Sequence, residues 1–323
     1  MTFGIKMSKA DKLREDNDPT PVDIGEPFAS PNVVSRICLY GAAAGDIFGS
    51  TQNEIRKLNG DECRTVDIFQ GGMYTDVTIM NRTVLGVLHS IGDDPDGYSD
   101  NQIIKQFSDA YKNMGRLYPK LPYGVHYYEW ARGDAIVADY HSFGNGAAVR
   151  APVIGAFYCN WNENAINRIS NLSAVPTHLH LTAIKAARVA AMMAYYAARG
   201  VSKDEIVRFG SWFYKEEHLN PDRYKVVKKY VTADCTMDDL ISGQYQTRDL
   251  SCDTAMSLVL IAIRESNTYE DCLRSILKYL CDTNTIMAIA GGIFALIEAA
   301  KGVSTSLQGH TIDEIWNRCT TEV

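Results

Sequence analysis

Residues 281–302 read CDTNTIMAIAGGIFALIEAAKG. Ile286, Ile289, Ala290, Ile293, Phe294 and Ile297 recur at the three- and four-residue spacing of a helix face. The pattern predicts a long helix that starts near Asp282. Lys301, a cation at the negative end of the helix dipole, and Gly302, suited to a left-handed stop, predict its end.

The same period recurs upstream. Ser30-Pro31 offers a capping hydroxyl followed by proline at the first helical position, so a helix is expected to run through Val34, Ile37 and Cys38 into Asp46. Val77, Met80, Val84 and Leu88 predict a second helix that opens at Tyr74-Thr75-Asp76. Further helices are expected over 101–118, from Pro152 to Trp161, from Thr177 to Gly200, and from Ala255 to Ile263. Ser202 to Glu205 and Thr268 to Asp271 read as capping boxes, and Thr311 to Glu314 caps a short last helix. Residues 119–147, rich in Pro and Gly, read as a long structured connection. Strand signals are almost absent, so the expected class is all-α. Residues 1–29 are polar and carry Pro19, Pro21 and Pro27, which suggests a flexible or loosely docked arm ahead of one domain over 30–323.

Composition bounds the function. The 323 residues are 46% hydrophobic and 22% charged, as in a globular chain with a sizeable core. A net charge of -7 disfavours nonspecific binding to nucleic acid or acidic membranes. The eight cysteines form no CxxC pair, which leaves zinc and redox motifs unsupported and makes free thiols the expectation. No apolar signal region opens the chain, and uninterrupted apolar stretches fall short of the ~20 residues a membrane helix needs. The expectation is an intracellular protein.

Two helix starts carry oxygen-bearing side chains: Thr75-Asp76-Val77-Thr78 and Asp282-Thr283-Asn284-Thr285. Each alone reads as an ordinary N-cap, but together they offer hard oxygen ligands of the kind Mg²⁺ or Mn²⁺ prefers. Gly41, Gly45 and Gly49 recur every fourth residue in GAAAGDIFGS. They would form a smooth helix stripe for close packing, at about 1 kcal/mol each relative to alanine, with Asp46 and Glu54 facing a shared centre. Gly144-Asn145-Gly146 could turn backbone N–H groups on an anion, or be a plain loop-to-helix turn. His178 and His180 are two apart, so they do not share a helix face as a zinc pair would.

The order and spacing of GAAAGDIFGS, YTDVT, SFGNGAAVRAPVIG, THLHLTAI and CDTNTIMAIAGGI resemble the ADP-ribosylglycohydrolase family over residues 33–302. The resemblance implies a compact multi-helix orthogonal bundle that binds ADP-ribose beside a two-metal Mg²⁺ or Mn²⁺ centre and cleaves the bond between ADP-ribose and an acceptor. It implies metal ligands at Thr75, Asp76, Asp282, Asn284 and Thr285, with Asp76 and Asp282 catalytic. It further implies ligand contacts at Asp46, Glu54, Gly144, Asn145, Gly146 and His178. Val77 and Asn284 stand where the family has aspartates. With two formal negative charges fewer, one strong Mg²⁺ (or Mn²⁺) site is expected rather than two. Three functions stay open: an active hydrolase acting on ADP-ribose or an ADP-ribosylated substrate, an impaired enzyme that binds ADP-ribose, and a partner-binding scaffold. Tyr127, Tyr128, Trp130, Trp212 and Tyr245 could stack on adenine or merely stiffen loops.

Overall fold

The computed structural model describes residues 20, 21, 24–51, 65–214, 236, 237, 250–279 and 281–320. Among these the regular secondary structure is almost wholly helical. The first helix, α1 (Pro31–Ser50), begins after Ser30 with proline in its first turn. It lies against the long helix α12 (Thr283–Ala300), which the opening stretch of sequence predicted.

The glycine stripe explains this pairing. A Cβ on Gly41 would sit 2.6 Å from the Ala295 Cβ, one on Gly45 would sit 2.3 Å from the Met287 carbonyl oxygen, and one on Gly49 would sit 2.4 Å from the Asn284 Cα. Partner numbers fall as glycine numbers rise, so the helices run antiparallel with backbones in near contact. The stripe therefore sets the height of the α12 start against the C-terminal turn of α1, which is where Asp46 lies.

Around this pair stand α2 (Asp76–Ile91), α3 (Asp100–Leu117), α4 (Val125–Arg132), α5 (Gly146–Val149), α6 (Pro152–Phe157) and α7 (Glu163–Ala174). They are followed by α8 (Leu181–Ala198), α9 (Lys203–Trp212), α10 (Cys252–Glu265), α11 (Tyr269–Leu277) and α13 (Ile312–Cys319). One small hairpin pairs Ser306–Leu307 with His310–Thr311. Its turn places Gln308 (φ 55) and Gly309 (φ 77) in the left-handed region that a tight two-residue hairpin loop requires.

Most expected helices form, with three differences. The connection at 119–147 contains α4, because Gly124 and Gly133 bracket two helical turns rather than break a loop. The helix expected from Thr177 begins at Leu181, with His180 as its cap accepting from Thr182 N at 3.2 Å. Helix α7, for which the sequence raised no expectation, is capped by Asn162 and buries Ile166, Ile169 and Leu172. The caps expected at Ser202, Thr268 and Thr311 all accept a backbone N–H three residues on. Of the presumed arm, the Phe28 N–H donates to the Ala198 carbonyl at 3.1 Å, and Ile24 and Phe28 pack on the core. Helix α12 is long and apolar enough to cross a membrane, but 78% of that window is buried by the other helices, as in a core helix. Cys38, Cys159, Cys252, Cys272, Cys281 and Cys319 are free thiols.

Candidate functional site

The site is built at two helix starts. Thr75 caps α2, accepting from Val77 N at 3.1 Å. Asp282 caps the position before α12, without a side-chain capping bond. Sequence places them more than two hundred residues apart, but the fold joins them: the Asn284 amide nitrogen donates to the Thr75 hydroxyl at 3.1 Å and to Asp46 Oδ1 at 3.1 Å.

Asp46 is the hub. It is fully buried. Its Oδ2 accepts from Thr75 N (2.8 Å), Thr78 N (3.1 Å) and Thr78 Oγ1 (2.6 Å), and its Oδ1 accepts from Thr75 Oγ1 (2.7 Å) and Asn284 Nδ2 (3.1 Å). Burial raises its pKa, and the bonds from Thr78, Thr75 and Asn284 pull it back. Both oxygens are thus fully engaged. Asp46, expected among the ligand contacts, instead ties α1, α2 and α12 together. A buried carboxylate needs such donors to be tolerated at all.

Those bonds also redefine two expected metal ligands. The Thr75 hydroxyl donates to Asp46 and accepts from both Val77 N and Asn284 Nδ2, which uses its one proton and both lone pairs. A cation could take its oxygen only by displacing one of these bonds. Asn284 turns its nitrogen inward because its two partners, Asp46 and Thr75, have only lone pairs to offer it. Val77 is 5% exposed and belongs to the hydrophobic core, and its side chain offers a cation no donor atom.

Asp76 and Asp282 stand differently. Asp76 is half-buried, and its pKa is pushed up to about 7 by burial first and then by the negative charges of Asp46 and Asp282. Asp282 Oδ2 accepts from the Asn145 amide at 2.8 Å. The Thr285 hydroxyl, in a side chain 5% exposed, is hydrogen-bonded to none of the described residues. No lysine or arginine among the described residues is ion-paired with Asp46, Asp76 or Asp282. Nor does any set of three or more His, Cys, Asp or Glu side chains among them gather as a metal cluster. Among the described residues the site thus carries two carboxylates without an ion-paired cation, and a hydroxyl without a hydrogen bond. That donor set fits one hard cation that keeps much of its water, and falls short of a closed cage.

The glycine loop stands beside Asp282. Its Gly144 N–H is donated to Ser142 Oγ (3.2 Å) and its Asn145 N–H to the Leu250 carbonyl (2.9 Å). These two N–H groups, expected to face an anion, are therefore already paired, and the loop's contribution passes through the Asn145 side chain. Gly146 lets the loop lie close to His178: a Cβ there would meet the ring's Cε1 at 3.3 Å. His178 is buried, and burial with the nearby Arg150 charge holds its pKa well below the usual imidazole value. Arg150 donates to Thr177 Oγ1 at 2.6 Å, and the Thr177 hydroxyl shares a 2.7 Å hydrogen bond with His178 Nδ1. The other ring nitrogen, Nε2, lies on the side of the glycine loop.

Sequence reasoning quoted Thr78 in its helix start but gave it no role of its own, and it missed the Asn145–Asp282 bond and Arg150. The last had a signal: one arginine inside the apolar run GAAVRAPVIG must be paired internally. Tyr127 and Trp130, candidate adenine stackers, pack inside instead; Tyr127 donates to the Tyr111 carbonyl at 2.6 Å and Trp130 is 6% exposed. Glu54 and Tyr245, also expected near the ligand, lie outside the described residues.

Comparison with known proteins agrees with this architecture. No curated protein matches the chain. The solved structure of an ADP-ribosylglycohydrolase-related protein complex superposes with a TM-score of 0.60 at 17% identity, covering 90% of this chain and 93% of that one. At that identity the likeness speaks for the all-α fold. The ADP-ribosylglycohydrolase family model matches residues 30–318. The chain therefore belongs to the ADP-ribosylglycohydrolase family.

Proposed function

We propose that this chain binds ADP-ribose at the α2 and α12 starts and hydrolyses its glycosidic bond to an acceptor, with one Mg²⁺ or Mn²⁺ between Asp76 and Asp282. The observation that carries this reading is the junction itself. Asp282 lies close enough for its charge to act on Asp76, and no lysine or arginine among the described residues is ion-paired with either. Catalytic carboxylates held together against their repulsion are what a cation or a developing positive charge would relieve.

When bound, the cation supplies Lewis acidity and orders the ligand's hydroxyls. The protein's own groups do the rest. Asn145 fixes the rotamer of Asp282 through its 2.8 Å bond. Asp76, with its carboxyl at about 7, can exchange a proton with water near neutral pH. The joint negative charge of Asp76 and Asp282 stabilises the oxocarbenium-like character that develops as a glycosidic bond breaks. The neutral imidazole of His178 and the glycine loop would border the sugar nucleotide. Glu54 is proposed only from its place in the sequence.

A second reading has its own support. Val77 is packed in the core and Asn284 turns its amide nitrogen inward, so neither position gives a cation a carboxylate. A site poor in charge can bind a nucleotide sugar and turn it over poorly. Calorimetry with ADP-ribose, with and without Mg²⁺, separates the readings. Metal-dependent binding with release of ADP-ribose from modified protein supports hydrolysis; metal-independent binding without release supports the second. No binding at all contradicts both.

A further inference from the structure

Gln308 is the one residue other than glycine, among the described residues, with a positive φ (55°). The two-residue loop it forms with Gly309 favours Asn-Gly, because asparagine visits the left-handed region more readily than a long side chain does. Glutamine is a strained choice for such a turn, so its side chain asks for a use. The structure shows one. The Gln308 amide oxygen accepts from the Ile68 N–H at 2.9 Å, 240 residues away in sequence, and its amide nitrogen donates to the Val66 carbonyl. One side-chain amide thus pairs with the backbone on both sides of Asp67, as a neighbouring strand would. The Gln308 backbone N–H donates to Glu270 Oε2 at 2.8 Å, and Arg274 holds Glu270 at 2.7 Å, which anchors the hairpin on α11. Beside this contact the Arg318 guanidinium lies 3.7 Å over the Phe69 ring.

The gripped segment leads into the site. Ile68 is fully buried. A Cβ on Gly72 would sit 2.2 Å from the Ile68 carbonyl oxygen and 2.9 Å from that of Ile47, so the chain at Gly72 is seated between Ile68 and α1. From there Met73 N donates to Ser50 Oγ at 2.8 Å, and Thr75 N donates to Asp46 at 2.8 Å. We infer that Gln308 is a positioning residue: by holding Ile68 it fixes the seat of Gly72, and with it the entry of Thr75 and Asp76 into α2. A metal ligand whose supporting contacts are lost binds more weakly although the ligand itself is intact. What that entry holds rests on the proposed function; the hold by Gln308 does not.

The test is Gln308→Asn in the full chain. Asparagine suits the left-handed turn better and is one methylene too short to reach both Val66 and Ile68. Relief of the turn offsets part of the lost bonds, so the variant is expected to stay folded at room temperature. There the amides of Ile68, Thr75 and Thr78 are expected to exchange with solvent about tenfold faster, while those of α8 and α10 exchange as in wild type. Mn²⁺ affinity, read by paramagnetic-resonance titration, is expected to fall about tenfold. Unchanged exchange at Thr75 and Thr78 would overturn the inference. So would exchange faster by one common factor at every amide, which marks a general loss of stability, or a variant that binds Mn²⁺ as tightly as a wild type that binds it. If the exchange responds as expected but neither protein binds Mn²⁺ or ADP-ribose, the proposed function fails and the hold by Gln308 stands.

Discussion

Replacing Asn284 with aspartate puts a carboxylate where the family has one, and the structure says what this costs without metal. The Asn284 amide nitrogen donates to Asp46 Oδ1 and Thr75 Oγ1, each at 3.1 Å. Asn284→Asp turns both donations into oxygen-to-oxygen contacts. The loss of two hydrogen bonds amounts to about 2 kcal/mol. Two carboxylates about 4 Å apart repel by up to ~4 kcal/mol at an effective dielectric of 20, and proton uptake by one of them caps that figure. A net loss of about 3–5 kcal/mol follows, or about 6–10 °C in Tm for a chain of this size. The assay is thermal unfolding in EDTA and in Mn²⁺. A cation that binds the folded variant at about a hundred times its Kd returns ~2.7 kcal/mol, so Mn²⁺ should rescue the variant far more than it stabilises wild type. If Asn284→Asp melts with wild type in EDTA, the amide does not hold the Asp46 hub and the reasoning fails.

Three further outcomes are expected. Gly45→Ala would bring a Cβ within 2.3 Å of the Met287 carbonyl, so it should lower stability in urea by about 1–3 kcal/mol and loosen the register that sets Asn284 against Asp46. In EDTA the Tm should fall as pH rises from about 4 through about 7: the folded-state carboxyl of Asp76 binds its proton more tightly than in the unfolded chain, so its stabilising contribution is full below the unfolded pKa and lost as pH passes the folded one. Asp76→Asn should remove most of that slope, and Mn²⁺ should flatten it. Val77→Asp alone should cost roughly 3 kcal/mol or more, because it buries a charge in the core. Combined with Asn284→Asp, it should raise Mg²⁺-dependent release of ADP-ribose from modified protein above wild type, and no gain would contradict the metal-site account.

The fold was legible where periodicity and capping agree. Helix α12 and the caps at Thr75, Ser202 and Thr311 depend on residues within four positions of one another, which a sequence displays directly. The glycine stripe of α1 announced close packing, though not its partner, because partner choice is a long-range matter. The site was legible in its carboxylates and illegible in its hydrogen bonds. That Asp46 saturates itself on Thr75, Thr78 and Asn284 depends on the register of three helices. That register makes Asp46 the hub of three helices and turns the Asn284 nitrogen inward. Helix α4 was missed because its bracketing glycines are also loop residues, and its packing on α3, through Tyr127, Trp130 and Ala131, is a long-range matter.

The central claim is that two distant helix starts jointly hold a single divalent cation. Anomalous diffraction from crystals of the full chain grown with Mn²⁺ and ADP-ribose tests it most directly. One strong manganese peak in contact with Asp76 and Asp282, with the ribose beside it, is the predicted result. No peak there, or two peaks of equal strength, would contradict the account.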